Sequence, residues 1–161
     1  MNKDNLEIER KFLLKNVPTF TGKIDILLIH QIYVKIGGEN RRFRKTLNTK
    51  TQEEVFHQCV KKDLSPGVFE EIEKEITEKK FNEMESRDHS YIMKKRYVHK
   101  ENGLKWEIDE YLEIKMVTLE VELDSIKQKI KIPKFIKNLI IVELTGKKEF
   151  SNYRLSLKVK K

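Results

Sequence analysis

Three pairs of glutamates recur at the same spacing along the chain: Glu7-Ile8-Glu9, Glu71-Ile72-Glu73 and Glu120-Val121-Glu122. Basic residues are paired the same way in Arg42-Phe43-Arg44 and Lys94-Lys95-Arg96. Lys11 follows Glu9, Lys61 follows His57 and Cys59, and Glu107-Ile108-Asp109 adds two more carboxylates. Solvated strand faces usually mix signs and carry Thr, Ser and Gln, whereas here single segments hold like charges. Two unit charges about 4 Å apart at an effective dielectric near 20 repel by roughly 4 kcal/mol, so such pairs need a cation or basic neighbours to compensate them. Hard carboxylate oxygens suit Mg²⁺ or Mn²⁺, which bind a few carboxylates together with substrate phosphates. Lys and Arg rows suit phosphate oxygens. Together they describe a phosphoanhydride site.

Period-two spacing places these residues on strands. In Leu6–Leu13, Glu7, Glu9 and Lys11 share one face and Ile8 and Phe12 the other; in Val117–Leu123, Glu120 and Glu122 oppose Leu119, Val121 and Leu123. Further strands are expected at Ile29–Ile36, Arg42–Arg44, Val55–Lys62, Phe69–Ile76, Tyr91–His99, Leu104–Tyr111 and Leu139–Thr145. Turns are expected at Gly37-Gly38-Glu39-Asn40, Ser65-Pro66-Gly67 and Asn102-Gly103, the last a strong hairpin signal. Helices are expected from Thr77 to Ser86, from a cap at Asp124-Ser125 through Ile126 and Ile130, and after Ser151-Asn152. A sheet closed into a barrel, its apolar faces outward under the helices, gives all the charged faces one interior.

The remaining composition bounds the reading. The chain has 161 residues, 38 % apolar and 37 % charged, with a formal charge of +8. That length fits one domain over residues 1–161. Only seven of the 34 basic residues are Arg, and three of those form Arg41-Arg42-Arg44, where a planar fork is most useful. The lone Cys59 excludes a disulfide framework. No apolar run approaches the roughly 20 residues of a membrane span, and the opening Met1-Asn2-Lys3-Asp4-Asn5 lacks a signal-peptide core. A cytoplasmic protein is expected. The tail Lys158-Val159-Lys160-Lys161 reads as solvated. His30, His57, His89 and His99 have no ligand spacing, and no P-loop motif is present.

The order of motifs resembles the CYTH superfamily, the triphosphate tunnel metalloenzymes. Glu7-Ile8-Glu9-Arg10-Lys11 matches its E-x-E-x-K opening and Gln31-Ile32-Tyr33 is similar to its second strand. Arg42-Phe43-Arg44 is similar to its R-x-R, Val60-Lys61 to its strand lysine and Glu71-Ile72-Glu73 to its middle E-x-E. Lys94-Lys95-Arg96-Tyr97, Trp106-Glu107-Ile108-Asp109, Leu119–Leu123 and the closing Leu144–Asn152 follow in the family order. The opening resembles the bacterial inorganic triphosphatase branch more than the cyclase branch.

The resemblance implies an α+β fold: a closed eight-stranded antiparallel barrel forming a tunnel, with a few packing helices. It implies Glu7, Glu9, Asp109, Glu120 and Glu122 as holders of Mg²⁺ or Mn²⁺, and Glu71, Glu73 and Lys94 as catalytic groups. Lys11, Arg42, Arg44, Lys61, Lys94 and Arg96 would grip the phosphates of a small triphosphate. The implied protein is a monomer or homodimer with no nucleic-acid or membrane partner. Adenylate cyclase or thiamine triphosphatase activity on the same fold, or a non-catalytic polyphosphate- or nucleic-acid-binding module, are the alternatives. Three departures stand out: Phe69 holds a place where the family often has Arg, Phe150 stands for an expected Tyr, and Glu70 beside Glu71 blurs the register there.

Overall fold

The computed structural model describes residues 3–159, so Met1, Asn2, Lys160 and Lys161 lie outside the described residues. Nine strands form one antiparallel sheet: β1 (Leu6–Leu14), β2 (Asp25–Ile36), β3 (Glu39–Asn48), β4 (Glu54–Ser65), β5 (Val68–Glu75), β6 (Ser90–Glu101), β7 (Leu104–Tyr111), β8 (Val117–Leu123) and β9 (Ile140–Glu143). Eight of them close a barrel in the order β1-β8-β7-β6-β2-β3-β4-β5, which returns to β1. The closing seam is short: Leu6, Glu7 and Ile8 pair with Glu70, Phe69 and Val68. Farther along, the same edge of β1 is taken by β9, which pairs with Phe12, Leu13 and Leu14.

Strand alternation sorts the side chains as the sequence suggests. On the outside, Phe12, Leu14, Trp106, Ile108, Leu119, Val121 and Leu123 form an apolar layer capped by Ile136 of α2 (Lys134–Lys137). Fully burying one such side chain contributes roughly 1.5–3 kcal/mol. A second outer layer, Ile32, Val34, Phe43 and Phe56, receives Phe81 and Met84 from α1 (Glu78–Glu85), whose Thr77 hydroxyl caps the Lys80 amide. The apolar core is therefore outside the barrel wall, and the charges are left inside.

Positive φ recurs at several turns, two of which shape the barrel here. Asn102 (φ 57°) and Gly103 (φ 71°) close the β6–β7 hairpin, as a two-residue turn with paired positive φ requires. Gly67 (φ 76°) docks its turn on β1, where its carbonyl accepts from the Glu9 amide at 2.9 Å. An added Cβ there would meet the Glu9 carbonyl oxygen at 2.7 Å.

One expected helix does not form. Residues 124–132 make a turn and then an extended strap, because Ile130 and Ile132, two apart, both pack on the Phe12–Trp106 layer. The helix comes after Pro133 instead. The strand expected at Leu139–Thr145 is shortened to Ile140–Glu143. The last helix, α3 (Asn152–Ser156), is capped by Ser151 and lies against inner-face residues. Leu155 packs on Ile92 and Tyr111, Tyr111 donates to Asn152 Oδ1, and Tyr153 meets the Tyr33 ring edge-on. No helix among the described residues is long and apolar enough to cross a membrane.

Candidate active site

Inside the barrel lies a cavity of about 860 Å³. Its wall has two halves that follow the strand order. The contiguous strands β5, β1, β8 and β7 contribute Glu71 and Glu73, Glu7 and Glu9, Glu120 and Glu122, and Glu107. The contiguous strands β6, β2, β3 and β4 contribute Arg96, Tyr33, Arg42 and Arg44, and Lys61. Lys11 of β1 and Lys105 of β7 are basic exceptions on the acidic side, and Asp63 of β4 is an acidic one on the basic side. Eleven of the thirteen residues implied by the family resemblance line this one cavity. Lys94 and Asp109 do not: both side chains are fully buried one layer below it.

Register explains the crowding in the acidic half. Glu9 stands directly opposite Glu122, and Glu107 directly opposite Glu120; like charges in directly opposed positions destabilise a sheet. Burial pushes Glu7 up to about 10, aided by a proton shared with Glu71, which is held low in turn. Burial and the nearby Glu120 also raise Glu9. Glu122 is raised by burial and by Glu107. Glu120 behaves differently. Although burial opposes it, Lys11 with Nζ at 3.5 Å, then Lys94 and Arg96, hold it down to about 2.

The basic half is supported from behind. Asp109 accepts from Arg96 Nε at 2.7 Å and Nη2 at 2.8 Å, while Arg96 Nη1 donates to Glu107 at 2.8 Å. Lys94 Nζ sits 2.8 Å from Asp109 Oδ2. Burial lowers Lys94 to about 7 despite that carboxylate, and Arg96 and Lys94 hold Asp109 well below the usual carboxylate range. Arg42 donates to Glu73 at 3.0 Å. Lys61 bridges the halves, with Nζ 3.5 Å from Glu9 and 3.7 Å from Glu7, and rests 4.0 Å from the Phe69 ring centre. The aromatic ring in place of an arginine thus seats a lysine.

The donor set fits a divalent cation. Glu7 Oε2 is buried with no hydrogen-bond donor, the carboxylates of Glu7, Glu9, Glu120 and Glu122 line the same side of the cavity, and all offer hard oxygens. Among the described residues the set whose ligand atoms lie within 4.8 Å of one another is a different one, Cys59, Glu71 and Glu73, and there burial pushes the Cys59 thiol up to about 11.

Other lining groups carry no charge-pair signature in the sequence. Tyr33 lines the cavity from the inner face of β2, a strand without a charged doublet, and the fully buried Gln31 lies beside it on that face. Lys147, Lys148 and Arg154 come from the closing segment, which reaches the cavity only because Lys11 Nζ donates to the Phe150 carbonyl at 2.7 Å and Thr145 Oγ1 accepts from the Lys11 amide. The bidentate Arg10–Glu143 pair, at 2.9 and 2.7 Å, anchors the start of that segment.

No family model and no curated protein matches the chain. Solved structures do. The inorganic triphosphatase NE1496 is 22 % identical over 96 % of this chain and 97 % of its own, with a TM-score of 0.59. PH1819 from Pyrococcus horikoshii OT3 is 21 % identical over 82 % of this chain and 85 % of its own, with a TM-score of 0.55. PH1012 from the same organism is 18 % identical over 96 % and 92 %, at 0.52. Likeness at these identities is a likeness of fold, and the fold is the closed antiparallel barrel described above. The chain has the CYTH-like triphosphate-tunnel fold.

Proposed function

We propose that the protein is a metal-dependent triphosphatase that hydrolyses inorganic triphosphate, or a related small triphosphate, within the barrel. The observation that carries this reading is the division of one cavity wall into an acidic half and a basic half. A pure polyanion binder gains nothing from interior glutamates that repel its ligand. A purely cation-binding cavity gains nothing from Arg42, Arg44, Lys61 and Arg96. A ligand that is anionic and travels with a divalent cation satisfies both halves.

Glu7, Glu9, Glu120 and Glu122 would hold Mg²⁺ or Mn²⁺ at the acidic half. Bound there, the ion would neutralise phosphate oxygens and lower the pKa of water. Arg42, Arg44, Lys61, Lys11 and Arg96 bind the phosphate chain and draw its negative charge toward fixed donors. Asp109 and Lys94 act from below, keeping the Arg96 fork oriented. Glu71 and Glu73 lie on β5, at the border between the halves, and orient the attacking water; Glu71, held low beside Glu7, is kept ionised for that role. Water attacks a terminal phosphorus in line, the P–O bond to the bridging oxygen breaks, and pyrophosphate and phosphate leave. Fixed positive groups that need no reorganisation stabilise the charge developing on the leaving oxygen, and removing one such contact typically costs about 10²–10³ in rate.

The test is a product assay. The protein is incubated with inorganic triphosphate, ATP and thiamine triphosphate in Mg²⁺ or Mn²⁺, with phosphate, pyrophosphate and cyclic AMP measured. One phosphate and one pyrophosphate per triphosphate are expected. Pyrophosphate together with cyclic AMP from ATP would make the protein a cyclase, and preferred release of phosphate from thiamine triphosphate would reassign the substrate.

A further inference from the structure

Six basic residues are implied by the family resemblance to grip the phosphates, and five of those six already have a carboxylate partner. Lys11 has Glu120, Arg42 has Glu73, Lys61 has Glu9 and Glu7, and Lys94 and Arg96 have Asp109. Arg44 is the exception: among the described residues, no carboxylate lies within ion-pair distance of it. Its guanidinium is held instead by Gln31, whose Oε1 accepts from Arg44 Nε at 3.1 Å and Nη2 at 2.9 Å. Gln31 is completely buried, and its other end is also fixed, since Nε2 donates to the Tyr33 hydroxyl at 2.8 Å. The amide orientation is dictated chemically, because arginine offers donors alone and must face the oxygen.

A neutral acceptor with two short bonds fixes a guanidinium without cancelling its charge, whereas a carboxylate fixes and cancels it together. We propose that Gln31 is a positioning residue that keeps Arg44 aimed into the cavity and unneutralised, so that Arg44 anchors the most highly charged group of the substrate, a terminal phosphoryl rather than the central one. This inference rests on the reading of the cavity as a triphosphate site and deepens it. Burial beside Arg42 and Arg96 leaves the Arg44 charge costly, down to about 10 from the ordinary 12.5, and an arriving anion relieves that cost. The remaining Arg44 donors are free to make a charge-assisted fork with phosphate oxygens, the strongest class of hydrogen bond available here. The other five of the six must share or give up a carboxylate before they do the same.

The isosteric change Gln31→Glu tests this, because it keeps the shape and adds the missing negative charge. Binding of inorganic triphosphate is measured by titration calorimetry in EDTA, and KM and kcat separately in Mg²⁺, with melting temperature as a folding control. Gln31→Glu is expected to weaken triphosphate binding at least tenfold and to raise KM similarly, with an unchanged or higher melting temperature. Gln31→Met, which removes both acceptor bonds without adding charge, is expected to weaken binding about threefold or more. In an Arg44→Gln background the Gln31→Glu effect is expected to shrink below twofold. Binding within twofold of wild type in both Gln31 variants, or an equal Gln31→Glu effect with and without Arg44, would overturn the proposal. A wild type that binds triphosphate but turns over none in Mg²⁺ would sink the triphosphatase reading while leaving the Gln31 comparison to decide this one. A wild type that neither binds triphosphate in EDTA nor turns it over in Mg²⁺ would overturn both.

Discussion

The two halves of the barrel wall are built on the same strand geometry and are compensated in opposite ways. In the basic half each cation but Arg44 reaches a carboxylate, and the deepest pair, Arg96 with Asp109, makes two bonds of 2.7 and 2.8 Å. In the acidic half Glu7, Glu9 and Glu122 are pushed toward the protonated form, and two glutamate pairs stand in directly opposed register. The basic half is paired with carboxylates except at Arg44. The acidic half keeps more carboxylates than cations, and Lys61, reaching across to Glu9 and Glu7, offsets part of that excess from the border. The difference teaches that carboxylates on adjacent strands are held in different ways: Glu7, Glu9 and Glu122 crowd one another at the cavity and are raised, while Asp109 beneath it is paired with two cations and held low.

That contrast is most easily broken by neutralising one carboxylate of each kind. Asp109→Asn leaves Arg96 and Lys94 buried without their anion. Breaking a buried pair typically costs about 3–5 kcal/mol, so a large loss in chemical denaturation midpoint is expected; a midpoint within error of wild type would show that Asp109 is not structural. Glu9→Gln should do the reverse, raising the melting temperature of the metal-free protein while lowering kcat by about 10²–10³. If Glu9→Gln retains turnover, its side chain is not part of the metal set.

A pH series sharpens the same point with a smaller effect. Glu7 is raised from 4.5 to about 10 on folding, so the folded chain binds more protons than the unfolded one across that window. Its contribution is present in full below pH 4.5 and is lost as pH rises toward 10. Lys94 and His30 are shifted the other way, so the clean quantity is the difference between wild type and Glu7→Gln. Metal-free wild type should lose stability relative to Glu7→Gln as pH rises through this window; parallel curves would remove the strain assigned to Glu7. The smallest effect concerns salt. Buried charges are screened weakly, so KM for triphosphate should rise less with ionic strength than the steep slope of a surface that trades counterions with a polyanion. A nucleic-acid-like slope would place binding on the outside of the barrel.

Period-two patterning made the inner-face residues legible, because a strand of a barrel must alternate between an apolar outside and its interior. The Glu7–Glu9, Arg42–Arg44, Glu71–Glu73 and Glu120–Glu122 doublets all reach one cavity for that reason. Depth along the barrel axis was not legible. Lys94 follows the same alternation as Arg96, yet one residue pair lower it lies under the floor, because α3 and Tyr111 fill the barrel there. Nor does alternation single out uncharged residues, so Gln31 and Tyr33 entered only as part of the family-like second strand, with no role assigned. The strap at 124–132 reads as helical from its cap residues, while Ile130 and Ile132 find a better place by lying extended over the Trp106 layer.

The central claim is that the two halves act on one ligand, a triphosphate carried with a divalent cation. Phosphate release from inorganic triphosphate, followed continuously in Mg²⁺ or Mn²⁺ and again in EDTA, tests it most directly. The account predicts sustained release with the cation and none above the uncatalysed rate in EDTA. Equal release in EDTA, or tight triphosphate binding with no release in either condition, would contradict it.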